Sequence, residues 1–426
     1  MLEKFDAVQS SHMKKSSFNN GISQSSVQNF GLTPLQYTTF LPALLMITGV
    51  LMVASIDIYL PAAPFMKCYF ETSEWMIQFS MMQTPIVGAL VGMLYGHWSD
   101  TNGRRPALLS SLGIFAAFSF LCCFAWNIES FLALRFLQAI GAGGISIISI
   151  SILADMFSGA LYARYMATYS MSFPIMFAIA PVLGAHLLGW FGWQANFWFL
   201  GLIAAALWLY FIKRLPETHQ DHSDTMGWGH LFKNLKALTT NSHFMRLSVC
   251  HGLPVAISAV YSVNSSFVFI DHFNFSPTAY AYIQLIPVFL NLVGSFAYRQ
   301  YVVKWGIIKS IRYGLYLNVV FLILVTSGVA LNFLQSPFSI VVIMCILNLS
   351  LSAVLSSCGT KAVECAPEQK GLAVAFLGLL RNGVVAGLVL VVGAFFDGTI
   401  IPVYIGMAIL TAILVILIFP ISKERI

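Results

Sequence analysis

Residues 96–108 read GHWSDTNGRRPAL, a short polar loop set between two apolar runs at 74–97 and 106–126. Each run is about 20 residues, long enough to cross a ~30 Å hydrocarbon core at about 1.5 Å per residue. An acid, two glycines and paired arginines make physical sense where two such helices turn. Gly96 and Gly103 allow close approach and a tight turn. Asp100 can pair with arginine or sit near a helix N-terminus, and Arg104 and Arg105 are expected to face water and anionic headgroups. A plain positive anchor explains the arginines but not the Gly-Asp-Gly spacing.

The same pattern of apolar run and polar break recurs along the chain. Of 426 residues, 58% are hydrophobic and 9% charged, against roughly a quarter charged in an ordinary soluble domain. So few charges cannot cover so large an apolar surface, and lipid must cover much of it. Apolar runs are expected at 40–66, 74–97, 106–126, 130–153, 166–190, 195–213, 246–270, 277–298, 308–331, 336–358, 371–396 and 401–420, about twelve spans. The boundary near 190–196 (GWFGWQANFW spans it) is the least marked. The fold class is therefore an all-α membrane protein. Residues 1–37, rich in Ser, Asn and Gln, form a tail without the apolar core of a signal peptide. The true start is Met1 or Met13. Residues 38–213 hold six spans, 214–245 a polar linker with an amphipathic piece near 229–238, 246–420 six more spans, and 421–426 a short tail. Six plus six is the pattern of duplicated transporter halves.

Charge placement orients the chain. With the N-terminus in the cytoplasm, all 22 basic residues except Lys67, Arg135 and Arg381 fall on the cytoplasmic side, and a one-span shift destroys this asymmetry. Both termini are then cytoplasmic. The net charge of +6 reflects that placement and does not imply nucleic acid. The seven cysteines lie mostly within apolar runs without CxxC or His-paired spacing, and read as small hydrophobes.

The loop at 96–108 resembles the G-x-x-x-D-R-x-G-R-R motif of the major facilitator superfamily. More narrowly, the chain is similar to the Bcr/CflA branch of the twelve-helix drug:proton antiporters. Asp57-Ile-Tyr59-Leu60-Pro61-Ala62-Ala-Pro64 resembles that branch's D-x-Y-L-P-A-x-P, and Arg135-Phe-Leu-Gln138-Ala-Ile-Gly141 resembles R-x-x-Q-x-x-G. Pro174 with Ala180-Pro181-Val-Leu-Gly184-Ala185 resembles the antiporter motif, and Leu215-Pro216-Glu217-Thr218 is also familiar. The C-terminal half matches mainly in helix count. The resemblance implies two six-helix bundles around a central cavity, alternating access, and proton-coupled export of small organic molecules. There are departures. Thr101 stands for the motif's Arg, Ala154 precedes Asp155, Gln194 follows Trp193, and Ala185 follows Gly184. They imply a thinner charge relay at the loop.

Ionisable groups within a bilayer cost roughly 2.5–3.5 kcal/mol each, so retained ones are functional candidates. Asp57 and Arg135 are expected at similar depth in the outer third, where they can pair. Asp57 would carry the proton, or else cap or anchor the helix end before Pro61 and Pro64. Arg381 falls about ten residues into its span, near the midplane, facing Asn348 or Glu364. Tyr59, Arg135, Gln138, Asn264, Asn348 and Arg381 are the expected cavity residues, and Gly96, Asp100, Gly103, Arg104 and Arg105 the gating loop. Pro85, Pro174, Pro181, Pro254 and Pro287 mark expected kinks.

Two intramembrane arginines also fit a polycarboxylate siderophore or metallophore, moved in either direction. A membrane-embedded enzyme or receptor is the remaining class, but His97, His186, His251 and His272 are scattered without ligand spacing, and neither terminus carries a signalling domain. No G-x-x-x-x-G-K-[ST] loop is present, so the proton gradient is the expected energy source and no cofactor or metal is expected. The expected partners are membrane lipids and a small-molecule substrate, with no nucleic acid, for a monomer.

Overall fold

The computed structural model describes residues 40–218, 235–330, 336–366 and 370–422. The expected tail at 1–37, most of the amphipathic piece at 229–238, and most of the 421–426 tail lie outside the described residues. Among those described, eleven helices are long and apolar enough to cross a membrane. We number them α1 (Leu41–Tyr69), α2 (Glu74–Asn102), α3 (Arg104–Cys122), α4 (Ile128–Met156), α5 (Gly159–Phe191), α6 (Gln194–Arg214), α7 (Ser242–His272), α8 (Pro277–Ala330), α9 (Pro337–Glu364), α10 (Lys370–Gly393) and α11 (Ile401–Ser422). Helix α8 has 54 residues, about twice a span, and reverses at Gly306 with φ 79°. The two expected spans at 277–298 and 308–331 therefore meet in a turn far tighter than the polar gap between them implied.

Local chemistry sets the ends. Ser73, Asn127, Asn241 and Ser336 accept hydrogen bonds from backbone N–H groups of the first turn of α2, α4, α7 and α9. The weakly marked boundary near 190–196 is set by Gly192, whose φ of 83° ends α5 before α6 begins at Gln194. Helix α1 breaks after Asp57 into a 3₁₀ step, Leu60–Ala62, before Ala63–Tyr69 completes the span. The break follows from Pro61 and Pro64, which lack the N–H that a continuing helix needs.

Helices α1 to α6 pack mainly on one another, with α4 against α1, α2 and α3, and α7 to α11 form a second bundle in which α9 packs on α7 and α8. The bundles meet where α10 packs on α2 and α8 packs on α5. Many large apolar side chains, among them Trp126, Phe191, Phe296 and Phe338, point away from both cores. In water such a surface would be untenable; in a bilayer it meets acyl chains.

Candidate functional site

The gating loop is a knot of charge rather than a solvated anchor. Gly103, at φ 100°, ends α2 and opens α3. The first N–H groups of α3 have no helical partner, and the Glu217 carboxylate takes two of them, from Arg104 at 2.8 Å and Arg105 at 3.1 Å. Arg104 turns inward and is only 8% exposed. Its Nε donates to Asp155 at 3.0 Å, and its Nη1 donates to Ser99 at 2.7 Å and to Asp100. Arg105 donates to the Ile212 carbonyl at 2.7 Å. The expectation that both arginines face water is thus corrected: a guanidinium between two carboxylates gains more from them than from headgroups. The relay is also not thin, because Asp155 and Glu217 arrive from α4 and from the chain after α6.

Within the first bundle, Arg135 is fully enclosed. It donates to Gln138, to Thr84 at 2.9 Å and to Tyr59 at 3.4 Å, and lies 5.0 Å from the Tyr59 ring centre and 5.7 Å from that of Phe197. Gln138 passes the chain on to Ser119 at 2.6 Å, and the Tyr59 hydroxyl is 3.0 Å from Ser80. Neutral acceptors and ring faces hold this cation, so its expected pairing with Asp57 does not form. In this conformation Tyr59, Arg135 and Gln138 sit inside one bundle, not on an open wall.

Asp57 lies instead at the seam between bundles. It is half-buried, and its Oδ2 is enclosed without a hydrogen-bond partner. The 3₁₀ step just after it, Leu60–Ala62, packs on α7 and α8 of the other bundle. Gly184 of α5 packs on the carbonyl of Ile58, so closely that an added Cβ would overlap that oxygen. The glycine of the antiporter-like motif therefore seats the broken end of α1, one residue after Asp57. Pro174 and Pro181 lie within the same helix, which runs through both.

Four hydrogen bonds latch the bundles at the end away from the gating loop. Gln78 donates to Asn264 at 2.9 Å, Trp75 donates to the Leu390 carbonyl at 3.2 Å, Lys67 donates to Asp271 at 3.1 Å, and His186 and Tyr282 are 3.2 Å apart. Lys67 also holds Glu74 of its own bundle at 3.0 Å. Asn264, expected on the cavity wall, is fully buried in this latch. Asn348 accepts from Asn291 at 3.3 Å and donates to the Met344 carbonyl at 2.9 Å, so it does not meet Arg381. Arg381 is half-buried, with its backbone against Gly252, and its Nε donates to Asn382 at 3.3 Å. The neighbouring His251 ring bonds the Leu355 carbonyl at 2.9 Å.

Two bundles of transmembrane helices, a charged knot after the second span and a seam of buried polar groups are the geometry against which known proteins can be compared. The profile of the Major Facilitator Superfamily matches residues 45–389. The chain belongs to the major facilitator superfamily. This major facilitator protein is 28% identical over 291 residues to the chloramphenicol resistance protein CraA of Acinetobacter baumannii, covering 68% of this chain and 70% of that one. It is 28% identical over 398 residues to the uncharacterized MFS-type transporter YdgK of Bacillus subtilis, covering 91% and 96%. It is 24% identical to a bicyclomycin resistance protein homolog of Haemophilus influenzae, covering 77% and 82%. Such names agree with the branch that the motifs resemble. Among solved structures, the D-xylose-proton symporter superposes with a TM-score of 0.70 at 13% identity, covering 91% and 99%. The nucleoside transporter NupG superposes at 0.69 and 14%, covering 90% and 100%. These two share the fold. This is a transporter, not an enzyme.

Sequence reading passed over the partners that make these sites. Asp155, Glu217, Lys67 and Asp271 lie far along the chain from the groups they meet. Glu217 carried a signal as an acid in a motif-like stretch directly after a span, and Asp155 one through the family pattern around it.

Proposed function

We propose that this major facilitator transporter exports small organic molecules, drugs or metabolites, against protons by alternating access, with Asp57 as the proton carrier. The observation that carries the reading is the Asp57 oxygen enclosed without a partner at the break of α1 and at the seam of the two bundles. A carboxylate there cannot cap the helix end. It has no proton to donate to orphan carbonyls, and its charge opposes the negative end of the helix dipole. A proton taken from outside while the bundles are parted at this seam removes both penalties, and it is yielded to the inside in alternation with substrate. The resistance proteins among the relatives support an organic, drug-like cargo. In this reading the protein sits in a bacterial inner membrane as a monomer with both termini cytoplasmic, the latch of Lys67 and Gln78 faces outside, and the proton gradient supplies the energy without a cofactor.

The test is substrate-driven proton flux in liposomes, comparing wild type with Asp57→Asn across lipophilic cations and citrate-type chelators. Flux driven by cations and lost in Asp57→Asn is the expected result. Flux unchanged by the substitution would remove Asp57 from the mechanism. Flux driven by the chelators alone, and lost in Arg381→Ala, would move the cargo to polycarboxylate siderophores. That second reading keeps Arg381 but loses Arg135, which is bonded inside the first bundle.

A further inference from the structure

The turn at Gly306 lies at the same end of the molecule as the gating loop but has a different character. A cavity of about 220 Å³ opens between the two legs of α8 and helix α9, lined by Tyr298, Tyr301, Trp305, Ser310, Tyr313 and Leu349 among others. The Tyr301 ring stacks on Trp305 with centres 4.8 Å apart, and meets Tyr313 at 5.8 Å. Trp305 is 42% exposed and Tyr313 45%, which leaves the mouth accessible. The cavity also offers polar atoms. The Tyr298 hydroxyl accepts from Ser357 at 3.0 Å and keeps its own proton to donate, while Ser310 donates to the Gly306 carbonyl at 2.9 Å and keeps its lone pairs.

Three cations stand next in sequence to lining residues, although none of them lines the cavity itself. Arg299 follows Tyr298 directly, Lys304 precedes Trp305 and Lys309 precedes Ser310; all three cations are exposed. The sequence contains no Asp or Glu between Asp271 and Glu364. Along both legs of α8, Phe289, Phe296 and Ile323 are exposed and apolar, as a surface against acyl chains requires. Aromatic and basic residues at a membrane interface can act simply as anchors. An anchor does not need a walled cavity with free phenolic donors, nor a stretch cleared of acids.

We infer that this cavity is a binding site for an anionic phospholipid. Its phosphodiester would lie against Lys304, Lys309 and Arg299, its glycerol and headgroup hydroxyls against the phenols and Ser310, and its chains along the exposed face of α8. A zwitterionic lipid offers the same phosphodiester but carries its own cation, which offsets part of the attraction to these three charges.

The test is native mass spectrometry of the full-length protein in detergent, titrated with dioleoylphosphatidylglycerol, dioleoylphosphatidylcholine or inorganic phosphate. Phosphatidylglycerol is expected to bind the wild type in preference to phosphatidylcholine. The exposed double variant Lys304→Gln/Lys309→Gln is expected to weaken it about thirtyfold, since each of the two cations near a charged surface is worth about 1 kcal/mol. Lys304→Arg/Lys309→Arg should restore binding, and Lys213→Gln/Arg214→Gln, a basic pair ending α6, should leave it unchanged. Equal binding of the two lipids, or equal weakening in the control pair, would overturn the inference in favour of general surface attraction. Displacement of phosphatidylglycerol by millimolar phosphate would overturn it in favour of a free-anion site.

Discussion

Two glycine turns at one end of the molecule, Gly103 in the first bundle and Gly306 in the second, solve the same geometric problem in opposite electrostatic ways. Both glycines have positive φ, 100° and 79°. Around Gly103 the cations are answered by Asp100, Asp155 and Glu217, and an added Cβ would strike the Glu217 carboxylate. Around Gly306 an added Cβ meets nothing within 4 Å, and no acid lies nearby in sequence. The halves repeat an architecture, not a charge distribution. The first turn locks helices of its own bundle together, while the second leaves Arg299, Lys304 and Lys309 exposed.

That contrast can be broken in graded steps, each followed by thermal unfolding of the purified protein in detergent. Arg104→Met should have the largest effect, lowering stability by about 3 kcal/mol, because it removes a largely buried guanidinium that bonds Asp155, Asp100 and Ser99 at once. A loss below about 1 kcal/mol would mean that water already shares those carboxylates. Gly103→Ala should follow at about 2–3 kcal/mol, combining left-handed strain with displacement of Glu217. Gly306→Ala carries the strain alone and should cost about 1 kcal/mol. Equal losses at the two glycines would show that the Glu217 contact adds nothing. Lys67→Met at the opposite end should change stability by less than about 1 kcal/mol, since its ion pairs with Glu74 and Asp271 are partly exposed, with acid side chains 31% and 39% accessible. Its effect should instead appear as faster exchange between conformations, read by spin labels on either side of the latch.

How much of this was legible beforehand differs between backbone and side chains. The spans followed from run length, and the caps at Ser73, Asn127 and Asn241 agree with local chemistry. The α8 turn was placed too loosely because Arg299, Lys304 and Lys309 dilute an apolar run without ending the helix. Asp57 and Arg135 were expected as partners because depth along two helices was known and rotation about them was not. A helix can present a residue at one depth to any side, and here Arg135 bonds Thr84 inside the first bundle while Asp57 has an enclosed oxygen without a partner.

By itself the sequence determined that this chain crosses a membrane many times in two halves, because a bilayer admits only backbone that satisfies its own hydrogen bonds over about 20 apolar residues. It also marked where glycine must stand for helices to turn or to touch. Only the tertiary structure decided which charges meet, that Glu217 closes the turn at Gly103, that Gly184 seats the end of α1, and that a cavity opens beside the second turn. Those outcomes depend on helix rotation and on contacts more than a hundred residues apart, which no local periodicity encodes.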